Sequence, residues 1–354
     1  MPLYLDPEEL RIFRDLNQAP GGFIDLVGAM AFRAAGTAQR LGVFDALAAG
    51  ARTPAELATK LDVAEGPLTV LLDALAGFGY VLRDDDGYAL GPAADPWLAN
   101  GPRDWFAPTL ALWHELIGEL WTGLEESVRT GRPPEPYYAW LERRPGTLRT
   151  FQGMLAGMAR GLAPAVVAAV PGPYGKLLDV GGGHAIYSAA FCEAAPGTTA
   201  TVVDLPGALD EGRARVEEAG LAGRITLVPG DLTVPADSAA LDSAYDTVLL
   251  FNVVHGLDPD GAAGLVDRAA RALRPGGRLL VLEPYSDPPA GTQGHTAAFL
   301  GGFSLNLAAT QGGRLYTFAE VAGWAEAAGL GGIERLPLDA PGSDELLVAR
   351  QETV

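Results

Sequence analysis

Leu177–Phe191 reads LLDVGGGHAIYSAAF: an apolar strand runs into an acid, three consecutive glycines and a helix. Such a loop is built to hold a cofactor. Glycines remove side chains where the backbone must turn sharply and approach a ligand, and the helix that follows offers unpaired N–H groups and a positive dipole end. A dinucleotide fingerprint needs glycine at the sixth position from Gly181, where this chain has Ile186. Asp179, two residues before Gly181, puts a negative charge in the mouth of the loop, where it repels a pyrophosphate and attracts a cation. S-adenosylmethionine, with an ammonium, a sulfonium and one carboxylate, suits this loop better than a dinucleotide does. Asp179, Gly181 and Gly183 are therefore read as cofactor residues. An ordinary strand-to-helix turn rarely needs three glycines in a row.

Composition narrows the partners. The chain has 354 residues, 48% of them apolar, enough for two domains with a sizeable core. A formal charge of -19 argues against a surface that neutralises phosphates, so neither nucleic acid nor an anionic membrane is the expected partner. A small molecule is. The single cysteine, Cys192, excludes an internal disulfide, and MPLYLDPEELRIF lacks the basic start and apolar run of a signal peptide. A cytoplasmic protein is expected. No apolar run reaches bilayer length, and Leu162–Val170 is broken by Pro164.

Organisation changes along the chain. From Gly22 to Leu47 apolar residues recur at helical spacing; Thr53-Pro54-Ala55-Glu56 is a capping box that opens the next helix, and Glu65–Phe78 is a further one. A hairpin follows, Tyr80–Leu82 and Tyr88–Leu90 around Asp84-Asp85-Asp86-Gly87. The order is that of a winged helix. DNA binding is the competing function, but the would-be recognition helix has no Lys or Arg and the wing tip is three aspartates. Trp105–Val170 reads as helices divided by RPPEPYY, with Trp113, Leu116, Leu120 and Leu124 on one stripe and Phe151, Met154, Leu155 and Met158 on another. Stripes of this kind are usually core. After Gly172 short strands alternate with helices: Lys176–Val180, Thr199–Asp204, Ile225–Val228, Thr247–Phe251 and Arg278–Leu282. This predicts a doubly wound parallel sheet. Gly332–Leu336 and Glu345–Ala349, joined by a short loop, predict a closing antiparallel hairpin.

The strand ends carry the chemistry. Asp204 closes the second strand in VVDLP, 23 residues after Gly181, where an acid accepts hydrogen bonds from ribose hydroxyls. Asp231, in PGDL, is placed to reach an adenine amino group while Leu232 packs on the ring. The fourth strand runs into FNVVHGLDPD, so His255 lies just past its end, where a histidine can remove a proton near neutral pH. Glu283, at the end of the fifth strand in LLVLEP, can hold the imidazole in one tautomer. His114 reads as a surface helix residue, His184 as a loop residue able to touch the cofactor, and His295 as a loop residue. No metal site is expected, since neither HExxH nor a cysteine pair is present. Asp287-Pro288-Pro289 follows the wrong strand for a base-modifying DPPY motif.

LLDVGGG, VVDLP, PGDL, NVVH, ALRPGGRLLVLEP and GGRLYT, behind a winged-helix region, resemble the plant-type S-adenosylmethionine-dependent O-methyltransferases and their bacterial natural-product relatives over nearly the whole chain. The resemblance implies an α/β fold: a Rossmann-like class I methyltransferase sheet with a C-terminal antiparallel hairpin, preceded by an all-helical, winged-helix domain. It divides the chain into a dimerisation domain (1–104), a helical linker contributing to the substrate pocket (105–171) and a cofactor-binding catalytic domain (172–354). It implies a homodimer, adds Leu205, Gly230 and Asn252 to the cofactor set, and matches His255 to the catalytic base and Glu283 to one of two flanking acids. Trp113, Phe151, Met154, Met158, Phe303 and Asn306 are the candidate pocket walls, and the pocket's shape is expected to depend on the linker helices, the loop Tyr285–Gly313 and a second subunit. Two departures stand out: the family's HDW is His255-Gly256-Leu257 here, and the second acid is replaced by Leu315. Methylation of a phenolic hydroxyl on a small aromatic or polyketide-like product is the leading expectation. C-methylation, or a hydroxylase or pericyclase-like reaction, on the same fold is the alternative, and a metabolite-sensing winged-helix regulator is the alternative outside catalysis.

Overall fold

A computed structural model describes residues 7–95, 97–99, 106–231, 245–289, 292, 294–340 and 342–352, apart from the side chains of Leu10 and Arg14. Its elements fall into two compact units, residues 1–119 with 149–154, and residues 120–148 with 155–354.

The first unit is mainly helical. A short helix α1 (Pro7–Leu10) precedes α2 (Gly22–Leu41), α3 (Val43–Leu47), α4 (Pro54–Leu61) and α5 (Glu65–Gly77). The apolar run from Gly22 divides at Gly42, whose φ of 79° a side chain would resist, and this residue caps α2 and starts α3. The capping box of α4 forms as its spacing predicts, Thr53 accepting from Glu56 N and Glu56 accepting from Thr53 N. Strands β1 (Val81–Asp84) and β2 (Gly87–Leu90) make the hairpin, with Leu82 opposite Ala89. Phe44, Leu47, Leu57, Leu72 and Leu75 form the buried core, and α6 (Phe106–Glu119) adds Leu110 to it.

The helices α7 (Leu124–Thr130), α8 (Tyr137–Glu142) and α9 (Pro145–Ala169) come next. Pro164 lies inside α9, which continues through it to Ala169. The second unit then builds β3 (Lys176–Val180), α10 (Ile186–Ala194), β4 (Thr199–Asp204), α11 (Pro206–Glu218), β5 (Ile225–Pro229), β6 (Tyr245–Phe251), α12 (Pro259–Ala272), β7 (Leu273–Pro284), α13 (Gly294–Thr310), α14 (Phe318–Ala327), β8 (Leu330–Pro337) and β9 (Asp344–Gln351). The strand order is β5-β4-β3-β6-β7-β9-β8; β9 runs antiparallel to both β7 and β8, and the other pairs are parallel.

The inner strands of the seven-stranded sheet bury both faces. Leu178, Val180, Val248, Val281 and Leu347 pack with α12 and α14 residues, while Leu177, Val202, Leu249, Leu280 and Val348 pack with Phe191 and Leu209. This explains the unbroken apolar runs, which parallel sheets covered on both sides require. From β3 the chain steps one way to β4 and β5, then returns to β6 on the other side. The crevice at that reversal opens at the carboxyl ends of β3 and β6, where ligands of doubly wound sheets bind.

Candidate active site

The glycine loop leaves β3 at that crevice. Gly181 has φ 77°, and a Cβ there would lie 2.6 Å from Val253 Cγ2. A Cβ on Gly183 would lie 2.7 Å from Asp204 Oδ2 and 2.8 Å from Ala208 Cβ. The glycines thus admit the protein's own neighbouring side chains, which fixes the loop close to the ends of β4 and β6. Gly183 N donates to Asp204 Oδ2 at 2.8 Å, and Leu205 N donates to Oδ1 at 2.7 Å. Burial raises the Asp204 pKa against these two bonds. Gly230 N donates to the Asp204 carbonyl, and half-buried Asp231 follows; Leu232 lies outside the described residues.

Asp179 forms the floor of the loop, beneath Gly182, and is 1% exposed. Its Oδ2 accepts from Ser188 Oγ at 2.7 Å, while Oδ1 is buried with no partner among the described residues. Burial, with Asp204 nearby, raises its pKa to about 7 despite the Ser188 bond. A buried, half-satisfied carboxylate beside Asp204 favours a ligand that brings positive charge. That donor set fits S-adenosylmethionine. His184, expected to touch the cofactor, uses Nδ1 to accept from Ile186 N at 3.2 Å at the start of α10, and burial, with Arg215 and Arg160, lowers its pKa to about 4. One helix N–H expected to be open is therefore capped from within.

His255 sits in a 3-10 turn, Val254–Gly256, just past β6. Its Nδ1 bonds to Glu283 Oε2, and Glu283 Oε1 accepts Val253 N and Val254 N at 3.0 and 2.8 Å. One carboxylate thus anchors both the turn and the ring. Burial alone would lower the His255 pKa; the charge and hydrogen bond of Glu283, with Asp344, outweigh it and the net direction is upward. With Nδ1 directed at Glu283, Nε2 is left to accept a proton. Asn252, the cofactor candidate ahead of this turn, has φ 56° and donates its N–H to Leu282 O at 2.8 Å.

Of the candidate pocket residues, Phe303 meets the His255 ring edge-on at 5.5 Å. Asn306 is buried and accepts from Trp121 Nε1 at 2.9 Å; Met158, in the same unit, is exposed. Trp113, Phe151 and Met154 belong to the first unit and are half-buried. Tyr285–Gly313 is mostly helix rather than loop, because Gly294–Thr310 forms α13. His295 consequently sits in a helical first turn. His114 is 4% exposed, not a surface residue, since Gly36 leaves room for its ring against α2. Leu315 is buried with Leu300, Leu307 and Phe303. Sequence reading missed Asp344, which bonds to the Asn252 side chain and whose pKa rises to about 6, from burial and from Glu283. A topological signal was present: β9 is antiparallel, so it begins at the edge where its neighbours end.

Residues 163–331 match the O-methyltransferase domain model and residues 26–100 the O-methyltransferase dimerisation domain. The chain belongs to the S-adenosylmethionine-dependent O-methyltransferase family. It is 30% identical over 314 residues to a 3-hydroxy-5-methyl-1-naphthoate 3-O-methyltransferase of Streptomyces sahachiroi, covering 86% of this chain and 87% of the relative. It is 32% identical over 330 residues to an aclacinomycin 10-hydroxylase of Streptomyces purpurascens, covering 90% and 85%. Among solved structures, the mitomycin 7-O-methyltransferase superposes with a TM-score of 0.84 at 27% identity over 95% of this chain and 99% of that one. An O-methyltransferase from neocarzinostatin biosynthesis, in complex with S-adenosylmethionine and 2-hydroxy-5-methyl naphthoic acid, gives 0.77 at 25% identity over 94% and 98%.

Proposed function

We propose that this enzyme methylates a hydroxyl of a small aromatic natural product, with His255 as general base. The observation that carries the proposal is the His255–Glu283 pair at the mouth of the crevice formed by the glycine loop. Asp179, Asp204, Asp231 and the loop backbone would hold S-adenosylmethionine, with Leu205, Gly230, Leu232 and Asn252 completing its surroundings. When bound, that cofactor supplies a methyl group already activated on a sulfonium. The protein's tasks are to orient the acceptor oxygen, exclude water and remove its proton. Glu283 keeps the Nδ1 proton, so Nε2 takes the hydroxyl proton and the resulting imidazolium remains paired. Phe303 offers an aromatic edge beside that nitrogen's ring, and Met158 and Asn306 of the same unit would add to the acceptor pocket.

The helix, helix, hairpin order of the first unit supports a winged-helix reading, and the dimerisation match supports a homodimer formed through it. The aromatic acceptor class is drawn from the naphthoate relative. No helix among the described residues is long and apolar enough to cross a membrane. A second reading comes from the hydroxylase relative at 32% identity: the same fold can serve an acceptor that leaves without an added methyl. Incubation with methyl-labelled S-adenosylmethionine and a panel of hydroxynaphthoates and hydroxybenzoates, read by mass spectrometry, separates the two. Labelled product is expected. A His255→Ala variant should lose roughly two to four orders of magnitude in kcat, and near-normal turnover would overturn the base assignment.

A further inference from the structure

Glu283 holds the ring of His255 and the start of the turn that carries it, through Val253 N and Val254 N. The far end of that turn closes with two long hydrogen bonds, Gly256 N to Val253 O and Leu257 N to Val254 O, both at 3.2 Å. A three-residue 3-10 turn closed in this way is a weak restraint on its own.

The far end is met by residues 311–316, between α13 and α14. Tyr316 is 3% exposed, and its hydroxyl donates to Leu257 O at 2.6 Å. Its carbonyl accepts Ser286 N at 2.9 Å, two residues past β7, the strand that carries Glu283. One tyrosine therefore ties the end of β7 to the end of the base turn. The ring lies edge-on to Trp324 of α14 at 4.7 Å, with the Arg314 guanidinium over it at 4.5 Å, and Arg314 is paired in turn with Glu320. Burial pushes the hydroxyl up to about 12, so it remains a donor across the neutral range. Glycines bring the two segments into contact. A Cβ on Gly313 would collide with the His255 carbonyl oxygen and lie 2.7 Å from Gly256 C and 2.8 Å from Leu257 N. One on Gly256 would lie 2.7 Å from Gln311 Oε1. The family resemblance puts an acid at 256 and another at 315, so both departures fall on this contact.

We propose that Tyr316 is a positioning residue for the base, fixing the far end of the His255 turn through Leu257 O where the second acid is missing. This rests on the reading of His255 as general base. Its physical reason is that a base displaced by about 1 Å can lose on the order of a hundredfold in rate. Tyr316→Phe removes the hydroxyl, keeps the packed ring and alters no charge near His255. Two readouts on the full chain need no acceptor. Hydrogen exchange followed by mass spectrometry should show residues 254–257 exchanging roughly five- to a hundredfold faster, as expected for a buried carbonyl left without its donor. Peptides of β6 and α12 should not change. NMR of labelled histidine should show His255 titrating below wild type, towards Glu283→Gln, because a freed turn weakens its bond to Glu283. With methyl-labelled S-adenosylmethionine and the hydroxynaphthoate that is methylated fastest, kcat should fall by a similar factor at unchanged KM for the cofactor. Gly313→Ala, which displaces the same turn from its other contact, should move both acceptor-free readouts in the same direction. Val266→Ala, in the α12 core, should lower the melting temperature and move neither. Wild-type exchange and titration in Tyr316→Phe, faster exchange spread evenly over the sheet, or an unchanged kcat despite a loosened turn would each overturn the proposal. Wild-type protein that methylates nothing in the panel would instead remove the base reading beneath it, while the acceptor-free readouts still decide whether Tyr316 fixes the turn.

Discussion

Asp179→Asn isolates the electrostatics of the glycine loop. The native carboxyl is buried, takes one hydrogen bond from Ser188 and leaves Oδ1 without a partner among the described residues. Burial first, then the neighbouring Asp204 charge, raise its pKa from 3.8 to about 7 against the Ser188 bond. Because the folded pKa lies above the unfolded one, the contribution of this group to stability is whole below about pH 4 and is lost as pH rises to about 7. Linkage with these values gives a loss of about 4 kcal/mol by pH 8, of which about 2 to 3 kcal/mol falls between pH 5 and pH 8. Asparagine preserves the shape, still accepts from Ser188 and does not ionise. The ligand-free variant should therefore gain about 2 to 3 kcal/mol relative to wild type on going from pH 5 to pH 8. Urea unfolding of both proteins at both pH values, with m-values checked for equality, measures this. Saturating S-adenosylmethionine at pH 8 should reverse the order, because its cationic groups favour the carboxylate. Parallel pH dependences in the two ligand-free proteins would refute the assignment of a buried, cation-seeking charge.

Other perturbations follow from the same geometry. Glu283→Gln places an amide against His255 Nδ1; if the amide donates, the ring proton moves to Nε2, and kcat should fall by roughly two to four orders of magnitude. The chain has four histidines, so NMR of labelled histidine should show the His255 pKa falling in the same variant. Gly183→Ala puts a methyl 2.7 Å from Asp204 Oδ2 and 2.8 Å from Ala208 Cβ; thermal unfolding should report a cost of about 1–3 kcal/mol, and calorimetry at least about tenfold weaker S-adenosylhomocysteine binding. His114 has a pKa lowered first by burial and then by Arg33 and Arg40, so its contribution is present above its ordinary 6.5 and is lost as pH falls below it. Denaturation between pH 7.5 and 5 should show that loss, and His114→Gln should lessen it.

How far the sequence could be read depended on what set each feature. Strand limits at Lys176–Val180 and Thr199–Asp204 agree with the sequence reading because both strands are apolar runs bounded by turn residues and polar ends. His255 and Glu283 were legible together because parallel neighbours bring their carboxyl ends to one edge. His114 was misread because an isolated helical histidine gives no clue to a neighbour as small as Gly36, 78 positions away. The loop assigned to Tyr285–Gly313 hid α13 because its Gly-rich and apolar composition has almost no helical amphipathicity to detect. Asp344 was missed for a different reason: its relation to Asn252 joins residues 92 apart through an antiparallel pairing.

Leu315 brings these strands of reasoning together. The family resemblance puts an acid at this position, and its loss would leave the imidazole with one flank unsupported. Leu315 is 2% exposed and packs with Leu300 and Leu307, while Phe303, against the same cluster, presents its ring edge-on to His255. The apolar side shields the imidazole from water, which strengthens its interaction with Glu283. Restraint then comes from a single carboxylate whose Oε1 fixes the Val253–Val254 turn and whose Oε2 fixes the ring. Removing Glu283 would therefore loosen the backbone and the base at once. With Asp344 supplying further negative charge from β9, the apolar substitution at 315 is compatible with a well-oriented imidazole, and Leu315→Glu would bury a carboxylate among Leu300, Leu307 and Phe303.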